Sequence, residues 1–258
     1  MANLEEVEKL LGEMIPVSLA EDWDNVGLML GRSNKQIKRV LLALDLTKDT
    51  AQQAIAKRAD LIITHHPAIF RKLSQLTDKH WQQDILLQLA EHGIAVYSAH
   101  TNLDCVSGGV NDAIVKALNI TDDEILDSES GLGRIGYVKA QPIEELASFV
   151  KKALKADYVA VGSAGRRAHK VAVCGGAGSE LIGIALAKGA DTFITGDVKY
   201  HSAQEAVFNG MNVIDAGHQP TELPVLEVLA DRLALRFAER SWHIDIRIAS
   251  ESLLLKHM

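Results

Sequence analysis

A chain of 258 residues, 47% hydrophobic and 24% charged, predicts one or two folded domains at about 150 residues each and excludes extensive disorder. No apolar run approaches the roughly 18 to 20 residues of a membrane span, and the charged start MANLEEVEKLLGEM lacks the unbroken apolar core of a signal peptide. With 34 acidic against 27 basic residues the formal net charge is -7, which disfavours a whole-surface nucleic-acid binder. Two cysteines make no disulfide framework and predict a reducing cytoplasm.

Asn3 followed by Glu6 predicts a capped helix start, with Leu4, Val7, Leu10, Leu11 and Met14 on one face. Residues 22–28 hold too many turn formers for regular structure. From residue 40 the chain alternates. Val40–Leu46 reads as a strand, Asp49–Arg58 as a helix, Leu61–Thr64 as a buried strand, 79–92 as a helix and Ile94–Ser98 as the next strand. Short apolar runs separated by helices predict parallel strands covered on both faces. The fold class is α/β.

The pattern then repeats. Residues 56–64 match residues 187–195 with six identities in nine, and the strand at Val40 answers the one at Val171. The run from Val96 to His100 aligns with Ile214 to His218, placing Asp104 opposite Glu222. Helices at 110–118 and 224–238 follow. The chain reads as a duplication, with related α/β halves over residues 1–127 and 128–258.

Equivalent strand ends in the two halves carry ligand-type side chains. His65-His66-Pro67 and His100-x-x-x-Asp104 lie in the first half; Gly196-Asp197 and His218-x-x-x-Glu222 lie in the second. Ligands in open α/β sheets collect beyond the carboxyl ends of strands. If the halves face each other, His65, His66, Asp104, His218 and Glu222 converge on one cleft. Neutral imidazole with carboxylate suits zinc, manganese, iron or nickel. Five ligands exceed the needs of one open site, so two divalent metals are expected.

Pro220 and Pro224 predict that the His218–Glu222 segment is a turn rather than a helical face. Asp197, with Tyr200 and His201 nearby, is a candidate outer hydrogen-bonding or acid–base group, as is His100. Gly175, Gly176 and Gly178, between a strand and a helix starting at Glu180, are candidates for a phosphate-binding nest. The alternative for these glycines is a tight turn, and Arg166, Arg167 and Lys170 are either a solvated face or phosphate contacts. His80, His92, His169, His243 and His257 are assigned structural roles. Cys105 is expected to be a small buried side chain rather than a nucleophile.

Taken together, Trp23-Asp24-Asn25-x-Gly27-Leu28, Thr64-His65-His66-Pro67, His100-Thr101-x-x-Asp104, Cys174-Gly175-Gly176, Thr195-Gly196-Asp197 and Gly217-His218-x-x-x-Glu222 resemble the NGG-one-interacting-factor-three-like family. Its bacterial members are called dinuclear metal centre proteins or GTP cyclohydrolase 1 type 2 homologues. The resemblance spans essentially the whole chain and implies interlocked α/β halves, a ring-shaped homohexamer and two metal ions per subunit. It makes His65, His66, Asp104, His218 and Glu222 the ligands, with Glu222 bridging. Pro220 departs from the usual pattern of this last motif. Three functions follow as expectations. The first is a metal-dependent hydrolase acting on a guanine nucleotide; the others are a bimetallic phosphoesterase and a non-enzymatic metal-binding scaffold ring that recruits partner proteins or encircles nucleic acid.

Overall fold

A computed structural model describes residues 2–253. The chain divides into two compact units. Residues 2–106 with Leu226–Ser252 form the first, and Ser107–Val225 the second. This replaces the sequence-based boundary at residue 127, and the reason is long-range pairing. Strand Asp245–Ile248 runs parallel to Arg39–Ala43 and so returns the chain's end to the first sheet. Helix Val110–Leu118 belongs to the second unit, where Asp112 accepts a hydrogen bond from the buried Arg134 side chain.

In the first unit a five-stranded sheet runs in the order Asp245–Ile248, Arg39–Ala43, Leu61–Thr64, Ala95–Ser98, Gly27–Leu30. All neighbours are parallel except the last pair. Leu61–Thr64 and Ala95–Ser98 are buried at every position, as continuous apolar runs in a covered parallel sheet should be. Leu41, Ile62 and Val96 pack with Ile85, Leu89 and Ala54 from the flanking helices Trp81–Glu91 and Lys48–Ala56. Each such Leu, Ile or Val contributes about 1.5–3 kcal/mol of burial. Helix Leu4–Met14 starts in the expected capping box, with Asn3 and Glu6 exchanging hydrogen bonds, and buries the expected face.

The second unit carries a six-stranded sheet in the order Thr121–Ile125, Arg134–Gln141, Ala168–Val173, Thr192–Thr195, Asn212–Asp215, Ala160–Gly162. Its central strands are parallel. The remaining pairings are antiparallel, which makes this sheet mixed rather than mostly parallel. The antiparallel strands escaped the sequence reading because they lack continuous apolar runs; the edge strand Thr121–Ile125 is exposed throughout.

The two sheets share a topological unit. In each, three parallel strands in succession are followed in space by an antiparallel edge strand that precedes them in sequence. Val40 pairs with Leu61 just as Val171 pairs with Thr192, in agreement with the repeat. The third strand differs by one residue. Thr64 faces Ser98 and Thr195 faces Asp215, so the ladders make His100 the counterpart of Gly217 rather than of His218. The short helices Thr101–Cys105 and His218–Glu222 then start in register. The expected equivalences of His100 with His218 and Asp104 with Glu222 are corrected accordingly.

Candidate metal centre

In the first unit the ligand-type side chains gather beyond the carboxyl ends of the parallel strands, where the helix that would cover them has not yet begun. His65 and His66 follow strand Leu61–Thr64, and His100 follows Ala95–Ser98. Two buried hydroxyls hold the turn. Thr64 Oγ1 donates to the His66 carbonyl and lies 2.9 Å from Ser98 Oγ, which accepts from the Ala68 amide. The candidate ligand atoms of His65, His66 and His100 all lie within 4.8 Å of one another. Asp104 Oδ1 stands 3.6 Å from His65 Nε2.

All three imidazoles are held from behind. His65 Nδ1 lies 2.9 Å from the Ala99 carbonyl, His66 Nδ1 2.9 Å from Asp45 Oδ1, and His100 Nδ1 2.9 Å from Asp24 Oδ1. An acceptor on Nδ1 makes that nitrogen the protonated one and leaves Nε2 with the lone pair a cation needs. Burial pushes His100 below the ordinary imidazole value; the hydrogen bond to Asp24 opposes this, and the neighbouring His65 and His66 reinforce it. For Asp24 burial alone would raise the pKa, but hydrogen bonds from Thr101 and His100 win and lower it. Asp45 and Asp24 are therefore working members of this cluster. Sequence reasoning gave Asp45 no role, although it stands just past the end of strand Arg39–Ala43, and it placed Asp24 in a turn and a family motif without a role in the site.

The second unit builds a smaller cluster. His218 and Glu222 sit one turn apart on helix His218–Glu222, with Nε2 and Oε1 3.1 Å apart. The expected turn is a helix because Pro220 occupies its first turn, where a missing N–H costs nothing. His218 Nδ1 lies 2.8 Å from Asp197 Oδ2, so Asp197 is an outer hydrogen-bonding partner of a ligand candidate, one of its two expected roles.

Gly175, Gly176 and Gly178 do not form a phosphate nest. Their amides are already donated, to Asn111 Oδ1, Thr221 Oγ1 and Thr195 Oγ1. Their absent side chains matter instead. A Cβ on Gly176 would lie 2.5 Å from Glu222 Oε1 and 3.3 Å from His218 Nε2, and one on Gly196 would lie 2.5 Å from the His218 amide. The glycines clear room for the imidazole–carboxylate pair. His201 is exposed, packs its ring against the exposed Tyr200, and joins neither cluster.

The other assignments fall as follows. Arg166, Arg167 and Lys170 donate to the carbonyls of Gly210, Ala140 and Lys188, and so brace their own unit. His92 and His169 bond backbone carbonyls, His80 precedes a helix, and His243 is exposed. His257 lies outside the described residues. Cys105 is half-buried rather than buried.

The donor set fits divalent metal ions. Nitrogen and carboxylate oxygen dominate, each imidazole is oriented by an acceptor, and Gly176 leaves a cradle beside Glu222. A model of the Duf34/NIF3 (NGG1p interacting factor 3) family matches residues 2–252. The chain belongs to this family. Among its relatives, a protein named GTP cyclohydrolase 1 type 2 homolog from Lactococcus lactis is 38% identical over 90% of both chains. NIF3-like protein 1 of Drosophila melanogaster is 36% identical, over 90% of this chain and 82% of its own. The crystal structure of the Staphylococcus aureus hypothetical protein SA1388 superposes with a TM-score of 0.94 at 27% identity, covering 99% of each chain. Among the described residues no helix is long and apolar enough to cross a membrane.

Proposed function

We propose that this NIF3-family chain is a cytoplasmic, dinuclear-metal-dependent hydrolase acting on a guanine nucleotide. The observation that carries the reading is the set of imidazoles whose Nδ1 atoms are each engaged by an acceptor, so that Nε2 is presented for coordination. The residues that would hold the metal ions are His65, His66, Asp104, His218 and Glu222. When bound, two divalent cations, whether zinc, iron, manganese or nickel, would supply Lewis acidity and lower the pKa of water towards neutrality.

The chain's own residues supply orientation and proton handling. Asp45 and Asp197 hold the tautomers of His66 and His218. His100, its Nδ1 tied to Asp24, would move a proton at Nε2 during hydrolysis. The reaction class is suggested by relatives named GTP cyclohydrolase 1 type 2 homolog: one water adds at C8 and breaks one C–N bond to leave a formamide, and a second water cleaves the formamide to formate and a free amine. A bimetallic phosphoesterase needs the same centre, and internal bonding of the glycine-rich turn removes the phosphate contact first expected there for both readings. The family resemblance further suggests assembly as a homohexamer. Metal-loaded protein incubated with GTP should release formate; release of phosphate alone would decide for the phosphoesterase, and release of neither for a non-catalytic metal-binding ring.

A further inference from the structure

Two large aromatic side chains stand in solvent beside the three imidazoles of the first unit. Trp23 is 60% exposed and Phe70 49% exposed. Their ring centroids lie 6.1 Å apart at 67°, and Trp23 meets the His100 ring edge-on, also at 6.1 Å. The rings thus make an open corner that touches the candidate site. Their backbone is pinned. The Asp24 side chain, next to Trp23, is fully buried and accepts from the Asn25 amide, the Thr101 amide and hydroxyl, and His100. The Asn25 side chain donates to the Ile69 carbonyl, tying the Trp23 loop to the Phe70 loop. Exposed aromatic surface forgoes burial worth about 25 cal/mol per Å². Keeping two such rings on anchored backbone, against a group placed for catalysis, is the arrangement of a ligand platform.

We propose that Trp23 and Phe70 form an aromatic corner that binds the planar heteroaromatic ring of the substrate, stacking on one ring face and meeting the other edge-on. The proposal rests on the reading of a guanine nucleotide as substrate and adds how its base is held. A base recognised this way is bound by its π-face and not by its hydrogen-bonding edge. The corner therefore selects for a flat ring and discriminates weakly among purines.

Guanosine monophosphate and ribose 5-phosphate share the phosphate and differ by the ring, so metal-loaded full-length protein should be titrated with each. With Trp81→Phe and Trp242→Phe, the fluorescence reports Trp23 alone. Guanosine monophosphate should quench it and bind at least about tenfold more tightly than ribose 5-phosphate. Measured by titration calorimetry, Trp23→Ala and Phe70→Ala should each weaken guanosine monophosphate by about 5- to 150-fold and leave ribose 5-phosphate unchanged. Trp23→Phe should restore most of the binding. Equal affinity of the two ligands for the wild type, or unchanged guanosine monophosphate binding in the alanine variants, would overturn the corner. Unchanged binding with a fall in assembly mass would assign the rings to subunit packing and overturn it equally. Ring-dependent binding without formate release would keep the corner and remove the cyclohydrolase reaction; formate release with an unchanged KM in Trp23→Ala would do the reverse.

Discussion

Gly176 stands where a single methyl group would collide with Glu222: a Cβ there would lie 2.5 Å from Oε1. The residue also has φ +63°, a conformation that costs an L-side chain roughly 1–2 kcal/mol. Gly176→Ala should therefore displace a ligand without touching one. The expected outcome is lower stability by about that amount and metal affinity reduced on the order of 10- to 100-fold, as for other supporting partners of metal ligands. Gly183 serves as the comparison, since it lies within helix Ile182–Ala187 and a Cβ there meets nothing within 4 Å. Gly183→Ala should leave metal binding unchanged and raise stability by about 0.5–1 kcal/mol. Elemental analysis and melting of both variants would check this, and full metal in Gly176→Ala would remove the cradle.

The same collision shows what sequence could convey. A glycine-rich strand-to-helix turn reads equally well as an anion nest or as a clearance for neighbours, because the sequence does not say where the amides point. Thr221, Asn111 and Thr195 decided it, and all three are distant from the turn in sequence. The buried parallel strands were legible because their apolar runs are continuous, as at Leu61–Thr64. The exposed strand Thr121–Ile125 carries no such signal. Nor could local pattern show that Asp245–Ile248 pairs with Arg39–Ala43, so the boundary at residue 127 failed. His65, His66, His218 and Glu222 were singled out from residue type and spacing; Asp45 was missed because one aspartate after an apolar run has no signature of its own.

In the proposed centre Glu222 would serve both metals, so its loss should cost more than the loss of a terminal ligand. Glu222→Ala should carry little metal, and Glu222→Gln should do the same while conserving volume in this buried position. His243→Ala, at an exposed position, should retain the wild-type content. Full occupancy in the Glu222 variants would end the bridging assignment.

Glu251 supplies a pH test. Its carboxylate accepts from the amides of Leu44 and Asp45, 2.7 and 3.1 Å away, and so braces the residue that holds His66. Burial raises its pKa above the usual 4.5, only partly offset by those two hydrogen bonds. An acid whose folded pKa is raised binds its proton more readily when folded. Its contribution is complete below the unfolded value and is lost as pH rises through the folded one. In metal-free protein, wild type should lose stability relative to Glu251→Gln as pH climbs above 4.5, whatever the constant offset between them. Urea midpoints across that range would show it; a constant difference at every pH would contradict the assigned shift.

The proposed hexamer has a direct measurement. One chain weighs 28.0 kDa, and light scattering at micromolar protein should give about six times that mass, in keeping with the closed symmetry usual among homo-oligomers. A mass near that of one chain would reject the ring.

His100 separates proton transfer from coordination. Its imidazole groups with His65 and His66 closely enough to hold a metal, yet the family resemblance does not clearly make it a ligand, and the strand ladders align it with Gly217 rather than with His218. Asp24 fixes the ring through Nδ1, while burial and the neighbouring imidazoles favour the neutral form. A neutral imidazole held in one tautomer can accept a proton at Nε2 and return it. His100→Ala should therefore keep its metal and lose rate on the order of 10²- to 10⁴-fold. Metal content and formate release measured on the same preparation divide the outcomes. Metal retained with activity lost supports the proton role; metal and activity lost together would make His100 a ligand; full turnover would reduce it to a packing residue between Trp23 and His65.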